Sequence, residues 1–344
     1  MRRSRVRFCA AHIRPLHPAL RSWVVLACLL MLAGCAGPQS ALDPAGRGAE
    51  HVARLFWWLV TGAAFVWFGV IGLTIYVLRL RPGPHNPRTA SALIIGGGAV
   101  FPTVVLAGYL IYGLSLMPDL LAPAPEGSLK IAVTGERFWW RVRYLTPEGE
   151  GVELANEIRL PVGERVQLFL NSPDVIHSFW VPSIAGKIDM VPGRINTLAL
   201  EPTRTGIFRG SCAEFCGDSH ALMNFYVVVQ EQEDFARWLA HQAESAQAPT
   251  SALARRGRDL FLSNGCGACH TIRGTPADGK VGPDLTHVGS RLSLAAGTLP
   301  NESDDFLEWI AKTEEIKPEV HMPAFGMLPQ EDLQALAVYL DGLE

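Results

Sequence analysis

The chain contains the stretch Cys212-Ala213-Glu214-Phe215-Cys216-Gly217-Asp218-Ser219-His220-Ala221-Leu222-Met223, which decides how the rest is interpreted. It places two thiols, an imidazole and a thioether within twelve consecutive residues. Sulfur ligands of this kind favour copper, and imidazole binds copper as well. A further imidazole lies upstream at His177. One copper does not need so many donors, so the stretch predicts two coppers bridged by both sulfurs. A structural disulfide is the alternative.

Short segments of alternating polarity surround this stretch, as is typical of strands with one buried face. β-branched and aromatic residues fill them, and Pro, Gly or Asn residues separate them. They predict an all-β sandwich or barrel that ends near Gln230. The predicted strands are Lys130 to Thr134, Arg137 to Tyr144, Arg165 to Leu170, Ile195 to Leu200 and Asn224 to Val229.

Two long apolar runs precede the predicted β-domain. Leu55 to Leu78 and Ala92 to Met117 contain no charged residue, and each exceeds the roughly 20 residues that cross a bilayer as a helix. They predict transmembrane helices at about 54–80 and 91–117. The loop between them carries three arginines, one histidine and no acid, which places it on the cytoplasmic side. The N-terminal segment at 35–52 and the β-domain then face outward.

The first 34 residues are predicted to be an export signal. Six arginines and no acid flank the apolar run Trp23 to Ala33, which is the layout of a secretory signal. The tetrad Leu32-Ala33-Gly34-Cys35 resembles a bacterial lipobox, which implies cleavage before Cys35 and a lipid on its thiol. A short anchor that stays attached is the alternative. Cleavage lowers the formal net charge from −3 to −9, and an acidic protein favours basic partners, not nucleic acid.

The C-terminal part carries a second motif, Cys266-Gly267-Ala268-Cys269-His270. This spacing indicates c-type haem attachment through both thiols, with the histidine as an axial ligand. Met322, which precedes a proline, is the predicted second axial ligand, and Met327 is the other candidate. A zinc site or a redox dithiol is the alternative, but zinc requires more Cys or His ligands nearby. The predicted helices of this part are Ala252 to Leu262, Asp304 to Lys312 and Pro329 to Leu343.

The first motif resembles the dinuclear CuA centre of cytochrome c oxidase subunit II, a cupredoxin-fold domain behind a two-helix membrane anchor. The resemblance extends over Glu50 to Gln230. It implies a Mg²⁺ ion shared with subunit I and reached by the Glu214 side chain. The copper ligands that it implies are the bridging thiolates Cys212 and Cys216, the imidazoles His177 and His220, the weakly bound Met223 and the backbone carbonyl of Glu214.

The second motif and the loop Val281-Gly282-Pro283-Asp284-Leu285 resemble class I cytochromes c. A subunit II with a cytochrome c fused behind it resembles the caa3 type of haem–copper oxidase. The resemblance implies a multi-domain membrane protein with a transmembrane hairpin at 53–118, an all-β cupredoxin-like CuA domain at 129–230, a short helix and linker at 231–250, and an all-α cytochrome c domain at 251–344.

The function that this resemblance implies is electron transfer from an external cytochrome c, through haem c and CuA, to subunit I. There O2 is reduced to water, coupled to proton translocation. Subunit III is a further expected partner, and the bacterial inner membrane is the expected location, with both cofactor domains on the periplasmic side. The alternative is the small subunit of a CuA-containing nitric oxide reductase. A copper chaperone of the Sco kind fits less well, because its histidine lies far downstream of its cysteines.

Two positions depart from the family pattern. Phe138 occupies the place where the family usually offers a tryptophan to an external cytochrome c, and it is followed by Trp139. Our hypothesis is that external docking has moved to the fused haem domain, although both aromatics remain candidates for the place where electrons arrive. The start of the second helix, Ser91 to Gly98, also lacks the acidic residue that the family often places at the mouth of a proton channel.

Overall fold

The computed structural model describes residues 36–146 and 151–344, together with Trp23. The predicted export signal and the predicted lipidation site at Cys35 lie outside these described residues. Within them, two helical rods are long and apolar enough to cross a membrane. The first is α1 (Arg47–Ile75), extended by a π-helical turn at Tyr76–Leu80; the second consists of α2 (Pro87–Ile95), a π-helical turn at Gly96–Val100 and α3 (Phe101–Leu121).

Helix α1 begins at Arg47, earlier than its apolar run suggests, because its first turn packs against the β-domain. The Ala49 amide donates to the Ile184 carbonyl at 3.0 Å, and Arg47 forms an ion pair with Glu201 at 2.6 Å. Just before the helix, the Ala45 amide donates to the Ser183 carbonyl at 2.6 Å. These contacts join the membrane hairpin directly to the β-domain.

The β-domain is a sandwich of two five-stranded sheets, which confirms the predicted all-β domain. The strands are β1 (Lys130–Glu136), β2 (Trp139–Leu145), β3 (Val152–Ala155), β4 (Glu157–Pro161), β5 (Val166–Asn171), β6 (His177–Trp180), β7 (Ile188–Met190), β8 (Asn196–Leu200), β9 (Gly206–Cys212) and β10 (Asn224–Gln230). One sheet has the order β3-β2-β1-β5-β8 and the other β4-β10-β9-β6-β7. All five predicted strands are present, with ends shifted by a few residues.

Aromatic side chains fill the sandwich beneath one end of the second sheet. The ring of Phe225 lies 4.8 Å from that of Phe179 and 4.9 Å from that of Trp140, and all three residues are buried. Phe179 also pairs in register with Cys212 of the neighbouring strand. This rigid apolar cluster therefore supports the end of the sheet at which the sulfur and imidazole residues lie.

The C-terminal domain is helical, as predicted. Its helices surround an apolar core that includes Phe261, Phe306, Leu336 and Leu340, all at most 6% exposed. The last helix buries the apolar face that its sequence pattern indicates. The helices after the sandwich are α4 (Gln232–Gln242), α5 (Ala252–Ser263), α6 (Ser303–Ile316) and α7 (Gln330–Asp341).

The predicted linker between the sandwich and the helical domain is hydrogen-bonded to that helical domain. The Glu244 carbonyl lies 3.1 Å from His287 Nε2, and the Ala246 amide donates to the Arg273 carbonyl at 3.0 Å. The side chain of Arg273 also donates to the Gln242 carbonyl at 2.5 Å. The connection therefore follows the surface of the helical domain.

The helical domain contacts the sandwich directly. The Leu292 amide donates to the Glu157 carboxylate at 2.9 Å, and Arg141 Nη2 donates to the Lys280 carbonyl at 3.0 Å. A backbone bond of 3.0 Å joins the Asn224 amide to the Ala296 carbonyl. Polar contacts at several separated points therefore hold one domain against the other.

Candidate metal centre and haem pocket

The predicted copper ligands converge at one end of the second sheet. Strand β6 begins at His177 and strand β9 ends at Cys212, and these two strands are neighbours. The loop from β9 to β10, residues 213–223 and here called the copper-ligand loop, then carries Cys216, His220 and Met223. The fold thereby brings His177, which is distant in sequence, to the copper-ligand loop.

The donor atoms lie close to the two sulfurs. The Cys212 and Cys216 Sγ atoms are 3.9 Å apart, whereas a disulfide requires about 2.0 Å, so both thiols are free. The Glu214 carbonyl oxygen also lies near the first sulfur. The other distances are 3.8 Å from His177 Nδ1 to Cys212 Sγ, 3.6 Å from His220 Nδ1 to Cys216 Sγ, 3.9 Å from Met223 Sδ to Cys216 Sγ, and 3.2 Å from Glu214 O to Cys212 Sγ.

This donor set fits copper. Each sulfur has one imidazole nitrogen beside it, and thiolate, thioether and imidazole are all suitable copper ligands. The ligand atoms of His177, Cys212 and Cys216 lie within 4.8 Å of one another, and these three residues are buried. The hydrogen bond between the two thiols lowers the pKa of Cys212, which favours the thiolate that binds metal.

Asp174 orients one imidazole. Its Oδ1 lies 2.9 Å from His177 Nε2, which leaves Nδ1 directed at the sulfur of Cys212. Burial by itself lowers the pKa of His177, but the hydrogen bonds to Cys212 and Asp174 outweigh burial and raise it. Sequence reasoning missed Asp174, although a carboxylate three residues before a candidate ligand is a signal for such a partner.

Asp174→Asn should weaken metal binding at this centre. Partners that orient a ligand histidine typically contribute ~10–100-fold in metal affinity, and the amide is a poorer acceptor for the His177 N–H. Competitive chelation of the purified protein, followed through its copper content, measures the effect. Asp218→Asn, on the loop between β9 and β10 and exposed, is the control. Equal copper retention by both variants would contradict the orienting role of Asp174.

Phe138 lies beneath the copper-ligand loop. It is 1% exposed, and a Cβ placed at Gly217 would lie 2.8 Å from its ring. Gly217 also has a φ of +134°, so glycine is required there on both grounds. Trp139 is half-buried, with the Arg141 guanidinium 4.7 Å from its ring centroid. The ring of Phe138 is therefore not exposed to an approaching protein, and docking of an external donor on the haem domain stays a prediction.

The Glu214 side chain points away from the sulfurs. It is 46% exposed, and its carboxylate lies 3.9 Å from Lys187 Nζ. The carbonyl of the same residue faces Cys212. One residue therefore presents an oxygen ligand to the centre and an accessible carboxylate to the outside.

The second predicted site lies where α5 ends. Cys266 begins a single 3-10 turn that ends before Cys269, and both thiols are free. His270 Nδ1 lies 2.8 Å from the Pro283 carbonyl, which leaves Nε2 as the free nitrogen. A Cβ at Gly282 would lie 2.5 Å from His270 Cε1, so only glycine permits this packing. Burial lowers the pKa of His270, which favours the neutral, ligating form.

The surroundings of this pocket suit a haem. Met322 and Cys266 pack against the same apolar core, whereas Met327 is 77% exposed. Arg291 Nε is buried and has no hydrogen-bond partner within the described residues. An anionic group such as a haem carboxylate would satisfy it, and Arg291 lies close enough to lower the pKa of His270.

Comparisons with known proteins match both domains. The family model described as cytochrome c oxidase subunit II, periplasmic domain, matches residues 133–231, and the cytochrome c model matches residues 254–344. Cytochrome c oxidase subunit 2 of Alkalihalophilus pseudofirmus is 36% identical over 330 residues, which is 92% of this chain and 94% of the relative. The Bacillus subtilis protein of the same name is 28% identical over 344 residues, which is 92% of this chain and 95% of the relative.

A search of solved structures also found the periplasmic domain of subunit II of cytochrome oxidase of Bradyrhizobium japonicum. It is 31% identical, covers 35% of this chain and 96% of its own, and superposes with a TM-score of 0.32.

Proposed function

The chain belongs to the cytochrome c oxidase subunit 2 family, with a cytochrome c domain in the same polypeptide, and we propose from this premise that it relays electrons from an external cytochrome c. In this proposal, electrons reach a haem in the C-terminal domain, pass to the copper centre of the sandwich and leave for subunit I. One observation carries the proposal: the helical domain is bonded to the sandwich right beside the copper-ligand loop, through Asn224 and Ala296.

The sandwich residues would hold a dinuclear copper centre, which when bound accepts and releases one electron at a time. Cys212 and Cys216 would supply its thiolate ligands, His177 and His220 its imidazole ligands, and Met223 a weak thioether ligand. Because these side chains are packed on a rigid apolar cluster, they can keep their positions when the charge changes. The exposed carboxylate of Glu214 is the proposed contact to a Mg²⁺ shared with subunit I. Support comes from the donor distances and from the family.

The helical domain would hold a covalent haem c, which when bound carries one electron. Cys266 and Cys269 would hold it covalently through thioether bonds, and His270, oriented by the Pro283 carbonyl, would supply an imidazole ligand to its iron. Met322 is the proposed second ligand, since it is packed into the domain core, and a methionine ligand raises the reduction potential.

The wider setting follows from the family, in which this chain is one subunit of a haem–copper oxidase. We place O2 reduction and proton translocation in subunit I, with subunit III as a further partner. Both cofactor domains would face the periplasm of a bacterial inner membrane, anchored by two helices and by a lipid on Cys35. The relatives are named as oxidase subunits, so nothing in them favours a nitric oxide reductase.

Oxygen uptake tests this function. The complex is purified from its native membrane through this chain and supplied with reduced cytochrome c, and oxygen uptake and nitric oxide consumption are recorded separately. The proposal expects oxygen uptake. Nitric oxide consumption without oxygen uptake would establish the reductase instead and would leave the ligand assignments unaffected.

Electron delivery by a basic donor should slow as ionic strength rises. From Ser251 onward the chain has eight Lys or Arg and fourteen Asp or Glu residues, a formal net charge of −6, which attracts a basic protein over a screened distance of about 10 Å at 0.1 M salt. Stopped-flow reduction at increasing salt measures the effect, and neutralising the exposed pair Glu314 and Glu315 should weaken it. Glu231→Gln on the other domain is the control. Rates independent of salt would contradict this steering.

A further inference from the structure

We propose that residues 317–320 form a clasp that fixes the haem domain on the copper-ligand loop, with Lys317 and Ser219 as its positioning residues. The clasp follows helix α6 and ends just before Met322. This inference rests on the proposed function, because its purpose is to hold two cofactor-bearing segments at a constant separation.

Lys317 is the centre of the clasp. It is 1% exposed, and its Nζ donates to the Leu222 carbonyl at 3.0 Å and to the Ala295 carbonyl at 2.9 Å. Leu222 belongs to the copper-ligand loop and Ala295 to the haem domain, so a single side chain bonds both domains. Lysine is rarely buried, because desolvation penalises its charge, and burial here lowers the pKa of Lys317 to about 7. An apolar residue would fill the space with less penalty but would not join the two carbonyls.

Ser219 supplies the second bond. Its hydroxyl donates to the Pro318 carbonyl at 2.6 Å, and the residue is fully buried. Ser219 directly precedes His220, the predicted ligand, while Pro318 directly follows Lys317. On the other side of the clasp, Val320 packs against the apolar core of the sandwich. The clasp is therefore bonded at its start and packed at its end.

The position of these bonds sets the separation of the two predicted sites. Pro318 lies four residues before Met322, and Ser219 lies directly before His220. Arg141 and Glu157 bond the haem domain to the sandwich at two further points, Lys280 and Leu292, and these bonds oppose rotation about the clasp. In the transfer, one electron leaves the reduced haem domain and the oxidised copper domain gains it. No bond forms or breaks in this step.

The test measures internal electron transfer in the intact purified oxidase. A photoreductant reduces the haem domain, and the appearance of the electron in the copper domain is timed by absorbance. Ser219→Ala and Lys317→Met should each slow this step several-fold, whereas the haem potential and the copper spectrum remain unchanged. Ser219→Thr keeps the hydroxyl and should restore the rate. Lys312→Met, an exposed lysine on the same helix, is the matched control and should have no effect.

Each outcome is decisive. Unchanged transfer in Ser219→Ala and Lys317→Met, with both spectra intact, overturns the clasp. A loss of rate accompanied by a shifted haem potential or copper spectrum also overturns it, because the residues then act on the sites themselves. If Lys317→Met does not accumulate, Ser219→Ala decides the question, since it removes a single hydroxyl. Absence of transfer in the unmodified protein refutes the proposed function instead.

Discussion

Replacing His220 by alanine should abolish oxygen uptake by the complex that contains this chain. The imidazole nitrogen lies 3.6 Å from the Cys216 sulfur, whereas His177 lies beside the sulfur of Cys212. Its removal takes away a proposed ligand, so the loss of copper affinity should exceed the ~10–100-fold that follows from losing a residue that only orients a ligand. Because every electron is proposed to cross this centre, turnover should fall to background.

The measurement combines oxygen uptake, driven by reduced cytochrome c, with the copper content of the purified complex. His241→Ala is a suitable control, because its ring packs on His287 at 4.8 Å, in the connection between the domains. Oxygen uptake that persists in His220→Ala would mean that electrons reach subunit I without this centre. Copper retained at full occupancy, with activity lost, would instead assign His220 a role other than ligand.

Met322→Leu should lower the reduction potential of the haem domain and suppress turnover with an external cytochrome c. Leucine has a similar volume and preserves packing, but it cannot bind iron. A methionine ligand stabilises the reduced state, and each tenfold loss of that preference lowers a one-electron potential by about 59 mV. We expect a shift larger than one such step. Spectroscopic redox titration measures it.

Met327→Leu is the matched control for this experiment. Met327 is 77% exposed, so its replacement should leave both the potential and the spectrum unchanged. The reverse result, with a lowered potential in Met327→Leu alone, would transfer the ligand assignment to Met327.

The sequence predicted those parts of the fold that local pattern determines. Five strands were found because their polarity alternates, and α7 was found from its apolar face. Strands β3, β4, β6, β7 and β9 are not among the predicted ones. Of these, β6 has only four residues, and β9 contains two glycines and little alternation of polarity. The site depends on β6 and β9. These two strands carry His177 and Cys212, so the metal site was recognised from side-chain chemistry and resemblance, not from secondary structure.

Contacts between domains could not be predicted from the sequence. Lys317 in isolation indicates an exposed position, whereas in the structure it is 1% exposed and bonds to one carbonyl of each domain. Helix α6 was expected to end at Lys312, where the backbone is non-helical, yet it resumes and continues to Ile316, which places Lys317 at the interface. Ser219 likewise has no sequence signal, because its acceptor at Pro318 lies 99 residues away.

The hydrogen-bonded connection at Glu244 and Ala246 has a consequence for how the copper domain is supplied with electrons. A free tether would present the haem domain at an effective concentration set by its length, in the millimolar range for short flexible linkers. Here His287 and Arg273 hold the tether on the domain surface, so its length no longer sets how often the two domains meet. In the proposed function, the diffusive encounter that remains is the one between the external donor and the haem domain, so the concentration of that donor would govern throughput.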